Sequence, residues 1–289
     1  MIGDSLMTIP LINELSKNKL VFSIYSNEYC YNTISYFLKS KNIFKTKNTT
    51  QRNFDFVFDF LSNKESQELL TKIKSHCILG FPDSQFDYNI NFDLPREFSE
   101  KPATEIFLQS LKYLNILPSK EYNFKTEVKW KYTNQKIIVI APGAGNINRC
   151  YPISDFIELA KKLTCSGQLV EFLLGPNDLH LKNKLKLNKI RISSNIQNTI
   201  GYLQTAKLIV ASEGGIMHIS GCFGIPLLGL FKVSRIINWF PYSLDCQKAL
   251  GHETNDYVNI AQLNLDISSS LNTIDVIDAQ ISPYNKNLW

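Results

Sequence analysis

The chain has 289 residues, room for two ordinary domains, since single cores seldom grow much past roughly 250 residues. Apolar residues make up 44% and aromatic ones 12%, which excludes a disordered chain. The 31 Lys and Arg against 26 Asp and Glu leave a net charge of +5 without any Lys/Arg-rich run, so no nucleic-acid partner is expected.

Short β-rich runs alternate with longer amphipathic ones. Residues 8–17 read as a helix, 21–25 as a short strand and 31–41 as a helix again. Residues 54–60 (FDFVFDF) read as a strand bounded by polar residues, followed by a helix over 66–75 and a strand over 77–80. From 88 to 100 the pattern dissolves into Asn, Asp, Phe and Pro, as in a long connecting loop, and 104–114 is helical. Residues 118–134 have no clear period, and the domain boundary is placed there. A second series then opens with a strand at 136–141, a helix at 153–164, a strand at 169–174 and a helix at 180–187. It continues with a strand at 208–212, a helix at 217–223 and a strand at 226–231, and residues 274–281 look helical.

This alternation implies parallel sheets covered by helices: an α/β chain of two Rossmann-like domains facing a cleft, with ligands beyond the carboxyl ends of the strands. The expected domains are residues 1–130 and 131–270, with 271–289 returning to the first. None of the six cysteines lies two to four residues from another, so no zinc or CxxC pattern exists and a reduced, cytoplasmic protein is expected. There is neither an apolar run of about 18 residues nor a charged n-region before an apolar core, so neither a transmembrane helix nor a signal peptide is expected.

Three segments carry chemistry. Residues 211–220 (ASEGGIMHIS) run from a strand through Glu213, Gly214 and Gly215 into a helix bearing Met217 and His218. Glycines there let the backbone approach a ligand and adopt positive φ, and the N–H groups of the helix start attract phosphate oxygens. A plain strand-to-helix turn reads the same way. Residues 141–152 (APGAGNINRCYP) also end a strand: Gly143 and Gly145 make a small-residue loop, and the planar fork of Arg149 suits a phosphate or carboxylate. Residues 3–10 (GDSLMTIP) place Gly3 and Asp4 before a helix, where Asp4 either caps it or offers a carboxylate as general base. Trp239, Phe240 and Tyr242 are aromatic core or the lining of a base or sugar site.

Taken in order, GDSLMTIP, PGAG…NRCYP and SEGGIMHISGCFGIP resemble the heptosyltransferases of glycosyltransferase family 9 over nearly the whole chain. The resemblance implies a GT-B architecture and metal-independent, inverting transfer from a nucleotide sugar, typically ADP-heptose, with no cofactor. The acceptor it implies is a lipid-linked saccharide of the lipopolysaccharide core type, met at the cytoplasmic face of the inner membrane. By motif position Asp4 corresponds to the general base. Arg149, with Gly143, Gly145, Glu213, Gly214, Gly215, Met217 and His218, falls in the donor and phosphate segments, and Asp178 stands for a ribose-holding carboxylate. The family's first strand precedes its Gly-Asp pair, whereas this sequence opens two residues before it, so that strand is expected to be missing. Glu213 replaces the family's Asp, Gly214 its Ser or Thr, and Arg149-Cys150-Tyr151 its Lys-Arg-Trp. An alternative reading is therefore a degraded homologue that binds a nucleotide or a partner without catalysis.

Overall fold

The structure, a computed structural model, describes residues 2–38, 42–46, 52–82, 87–92, 101–118, 137–186, 188–241, 247–251, 260, 264–267 and 274–277. Two compact units make up the chain: Met7–Lys125, and Met1–Leu6 together with Thr126–Trp289. The chain passes from one to the other inside its first helix, α1 (Ile2–Met7).

In the Met7–Lys125 unit, α2 (Ile9–Lys17) carries Pro10 in its first turn, where a fixed φ suits helix entry, and buries Ile9, Leu11 and Ile12. Strands β1 (Ile24–Ser26) and β2 (Ile43–Lys45) flank α3 (Glu28–Leu38) and pair in parallel, Ile24 opposite Ile43. Strand β3 (Asn53–Asp59), helix α4 (Lys64–Leu70), strand β4 (Lys74–Gly80) and the short β5 (Ile90–Asn91) follow, and the three strands form a parallel sheet in that order. Helix α4 starts where it does because Asn63 and Ser66 cap each other reciprocally: each side-chain oxygen accepts the other's backbone N–H at 3.0 Å. Helix α5 (Ala103–Gln109) tightens into a 3-10 turn over Ser110–Leu114 and packs on α2.

The other unit is built on β6 (Ile137–Ala141), α6 (Ile153–Cys165), β7 (Leu169–Leu174), β8 (Lys189–Ile192), α7 (Ile196–Leu203), β9 (Ala206–Ser212), α8 (Gly215–Phe223), β10 (Leu227–Phe231), α9 (Ile236–Trp239) and β11 (Gln247–Gly251). Six of its described strands form one all-parallel sheet, in the order β11-β10-β9-β6-β7-β8. Ile138, Ile140, Phe172, Val210, Leu228 and Leu230 on these strands form one core with Phe156 and Leu159 of α6. After β6 the chain builds outward through β7 and β8, then returns to lay β9 on the other side of β6. Strand order thus reverses between β6 and β9, and in such sheets ligands bind beyond the carboxyl ends of the strands at that point.

Two expectations need correction. The sequence suggests an α-helix over residues 180–187, but Pro176–Leu185 is wound as 3-10 helix, with Leu185 its buried residue. Within residues 274–281, also expected to be helical, Ile274–Ile277 is a strand, β13, pairing antiparallel with β12 (Asn264–Ile267). Ile274, Val276 and Ile277 are β-branched, and Ile-Asp-Val alternates at the strand period. Residues 278–281 lie outside the described residues, as do most of 118–134 and all of 93–100. Among the described residues no helix is long and apolar enough to cross a membrane.

Candidate functional site

The loops after β6, β9 and β10 converge at the reversal point. Ser212, the last residue of β9, donates its hydroxyl to the carbonyl of Pro142 at 2.9 Å, tying the ends of β9 and β6 together. The β6 loop then winds into a 3-10 turn, Ile147–Arg149, capped by the Asn146 side chain accepting from the Asn148 N–H at 3.0 Å. Buried Tyr151 fixes the loop's far end by donating to the Phe231 carbonyl at 2.8 Å, and Lys232 donates to the Cys150 carbonyl at 3.0 Å.

Glu213 is the hub of these loops. Its carboxylate is 3% exposed and accepts from Arg149 Nη1 at 2.8 Å and from the Ser234 hydroxyl at 2.6 Å. Burial pushes its pKa up, with the nearby charge of Asp4 adding, while Ser234 and Arg149 pull it down. Arg149 keeps a quarter of its side chain exposed while its Nη1 is held by Glu213.

Helix α8 opens beside this hub with Gly214 as its N-cap. The positive φ expected of the site glycines is not adopted. Gly214 is extended at φ −179°, and the positive-φ glycines among the described residues are Gly167, Gly224 and Gly251. Nor does space demand a glycine at 214, because a Cβ there would meet Ala144 only at ordinary contact, 3.5 Å. Gly143 is different. A Cβ on it would stand 2.0 Å from the Asp178 carboxylate, so the β6 loop passes directly under that side chain. Asp178 itself accepts from the Gly175 N–H at 3.1 Å, and burial raises its pKa. Gly145 is exposed. Met217, expected at the donor site, is wholly buried with its sulfur against Gly229, so its side chain belongs to the core.

His218, one turn into α8, is 3% exposed. Burial pushes its pKa down to about 4, with Arg149 adding and Asp4 opposing, so the ring is neutral at pH 7. Its Nδ1 is buried without a hydrogen-bond partner among the described residues. Against the ring lies α1. Gly3 and Asp4 sit inside that helix, and the N-cap of α2, the helix expected over residues 8–17, is Thr8, so Asp4 caps neither. A Cβ on Gly3 would come within 2.4 Å of His218 Cδ2, while Asp4 is 8% exposed and its charge acts on both His218 and Glu213.

Asp4, Arg149, Glu213 and His218 are thus gathered in one unit, with Gly143 and Asp178 at the neighbouring loop. Among the described residues no group of three or more His, Cys, Asp or Glu is placed to hold a metal ion. Phe240 is core, packed edge-on to Phe231 at 6.3 Å, and Tyr242 lies outside the described residues. Sequence reading missed Ser234 and Lys232. Both follow the carboxyl end of β10, and the rule placing ligands there is the signal that would have found them.

Residues 91–262 match the profile of Glycosyltransferase family 9 (heptosyltransferase). A family 9 glycosyl transferase from Veillonella parvula superposes with a TM-score of 0.69 at 16% identity, covering 89% of this chain and 86% of that one. Escherichia coli heptosyltransferase WaaC, solved with ADP and with ADP-2-deoxy-2-fluoro heptose, gives 0.65 at 14% identity over 89% and 92% of the two chains. Escherichia coli ADP-heptose lps heptosyltransferase II gives 0.65 at 16% identity over 86% and 87%. The α/β architecture with parallel sheets is the GT-B fold of these neighbours. With the profile spanning more than half of the sequence and running through β6, the Arg149 loop and the Glu213–His218 turn, the chain belongs to glycosyltransferase family 9, the heptosyltransferases.

Proposed function

We propose that the chain is an inverting, metal-independent glycosyltransferase that moves heptose from ADP-heptose onto a lipid-linked saccharide of the lipopolysaccharide-core type. The acceptor would be met at the cytoplasmic face of the inner membrane, with the Met7–Lys125 unit serving the acceptor and the other unit the donor. The observation that carries the reading is that Asp4 belongs to the same unit as Arg149 and the start of α8, at the sheet's reversal point. In the transfer step the acceptor oxygen bonds to the anomeric carbon on the face opposite the diphosphate, and its proton passes to the Asp4 carboxylate. The bond from that carbon to the phosphate oxygen breaks, and its electron pair leaves on ADP. Arg149 and the free N–H groups of α8 meet the charge that develops there. A diphosphate competes with Glu213 for Arg149, and Asp178 beside Gly143 holds the ribose. The backbones of Gly145, Gly214 and Gly215 flank the phosphates. The acidic partner that moderates Arg149 speaks for reversible donor binding rather than a permanent anion trap.

The test begins with a thermal-shift titration against ADP, UDP, GDP and CMP, with magnesium and with EDTA. ADP alone should stabilise the protein, by about 2.7 kcal/mol at a hundredfold excess over Kd, and EDTA should leave that unchanged. Transfer from ADP-heptose should then fall by roughly 10²–10⁴-fold in Asp4→Asn with ADP affinity retained, and NMR of the product should show the inverted anomer. Equal stabilisation by all four nucleotides, or full turnover in Asp4→Asn, would reject the reading.

A further inference from the structure

Two buried side-chain polar atoms lack a hydrogen-bond partner among the described residues, Ser35 Oγ and His218 Nδ1. A hydroxyl can rotate toward whatever comes near, but an imidazole nitrogen is fixed by its ring, so the orphan on His218 calls for a reason. The other edge of the ring, Cδ2 and Nε2, faces Gly3 and points to packing as its role. A Cβ at Gly3 would lie 2.4 Å from His218 Cδ2, 2.6 Å from Nε2 and 3.2 Å from Cγ, closer than side chains pack, so only glycine lets α1 come this near. Glycine is otherwise a poor choice inside a helix, costing about 1 kcal/mol relative to alanine. Six residues of helix have no stability of their own either, so α1 lies where its contacts put it. The residue after the glycine is Asp4, buried and electrostatically coupled to both His218 and Glu213.

We propose that His218 is a positioning residue: its ring is the seat on which Gly3 rests, and this seat holds the Asp4 carboxylate beside the Arg149–Glu213 hub. The inference rests on Asp4 being the general base, as proposed above. A neutral ring suits the task, because an imidazolium there would stabilise the Asp4 anion and weaken it as a proton acceptor.

The experiment uses the full chain and three variants: Gly3→Ala, His218→Ala and the double substitution. For each, kcat and KM with ADP-heptose, ADP affinity, melting temperature and amide exchange of the Ile2–Met7 peptide are measured. Gly3→Ala should lower kcat at least about tenfold with ADP affinity unchanged, as expected when a reacting group is displaced by a fraction of its contact distance. His218→Ala should loosen the exchange of Ile2–Met7. The double variant should be no slower than His218→Ala alone, because the added methyl enters the space the ring has left. Unchanged kcat in Gly3→Ala, or losses that multiply in the double variant, would overturn the proposal. So would loss of ADP binding in His218→Ala, which would make the ring a donor ligand. Exchange of Ile2–Met7 that ignores the removal of the ring would overturn the seat whatever the rates show. Failure of the reaction assignment is recognised separately, because the unmodified chain would then transfer nothing from ADP-heptose while the exchange result still decides the contact.

Discussion

At the scale of single residues, burying His218 makes stability depend on pH. The folded chain holds this ring with a pKa of about 4, against 6.5 for a free histidine. Above pH 6.5 neither state is protonated and the ring adds no pH dependence. As pH falls from 6.5 toward 4, the unfolded chain takes up a proton that the folded chain refuses, so stability drops, by about 3 kcal/mol over that window. Below pH 4 both states are protonated and the loss levels off. Charges around the ring act on it too: Asp4 favours its protonation and Arg149 opposes it. Glu213 works in the opposite sense, since a carboxyl raised above 4.5 by burial contributes stability at low pH that is lost as pH rises through its folded value. His218→Gln isolates the histidine. Its urea-unfolding free energy measured from pH 7.5 to 4.5 should fall less steeply than that of the unmodified chain, and parallel profiles would show that the ring is not held neutral.

At the scale of elements, α8 has one end given to the site and the other to stability. Its carboxyl end closes on Gly224 at φ +66°, with the Gly224 N–H on the Gly221 carbonyl at 3.0 Å and the Ile225 N–H on Ser220 at 3.1 Å. Only glycine takes that conformation without strain, so Gly224→Ala should cost about 1 kcal/mol in chemical denaturation. If ADP binds at the start of α8 as proposed, its affinity should not move, because the cap lies at the far end of the helix, and a loss of ADP binding would show that α8 shifts as a whole. The same elements show what sequence reveals. Strands β6, β7, β9 and β10 stood out as near-continuous apolar runs because a parallel sheet buries both their faces. Strand β8 did not, since an edge strand carrying Lys189 and Arg191 has no such run. Helix α1 escaped notice because Gly-Asp-Ser within six residues reads as a turn. The site divides in the same way. The Gly- and Pro-marked loops at strand ends were visible, whereas the Arg149–Glu213 pair and the Gly3–His218 contact join residues far apart in sequence, which no local pattern records.

At the scale of the whole molecule, the two units differ in how deeply their sheets are buried. Ile138, Val139, Ile140, Leu208, Ile209, Val210, Leu228 and Leu230 of the six-stranded sheet are all fully buried. In the Met7–Lys125 unit, β3 buries only Asp59 fully, Phe56 is 43% exposed and β5 is exposed along its length. Fewer buried apolar contacts mean cheaper opening, so backbone amides of β3 and β4 should exchange faster than those of β6, β9 and β10. A ligand stabilises only what unfolds together with its site. If ADP binds the β6, β9 and β10 loops, saturating ADP should slow exchange in those strands and in the loops themselves, by about a hundredfold at a hundredfold excess over Kd. It should leave β3 and β4 at their own rates. Hydrogen exchange by mass spectrometry on the full chain, with and without ADP, reads both units at once. Equal slowing in β3 and β4 would mean that the chain opens as one cooperative body, so that a substitution in either unit would be felt as a loss of stability in both.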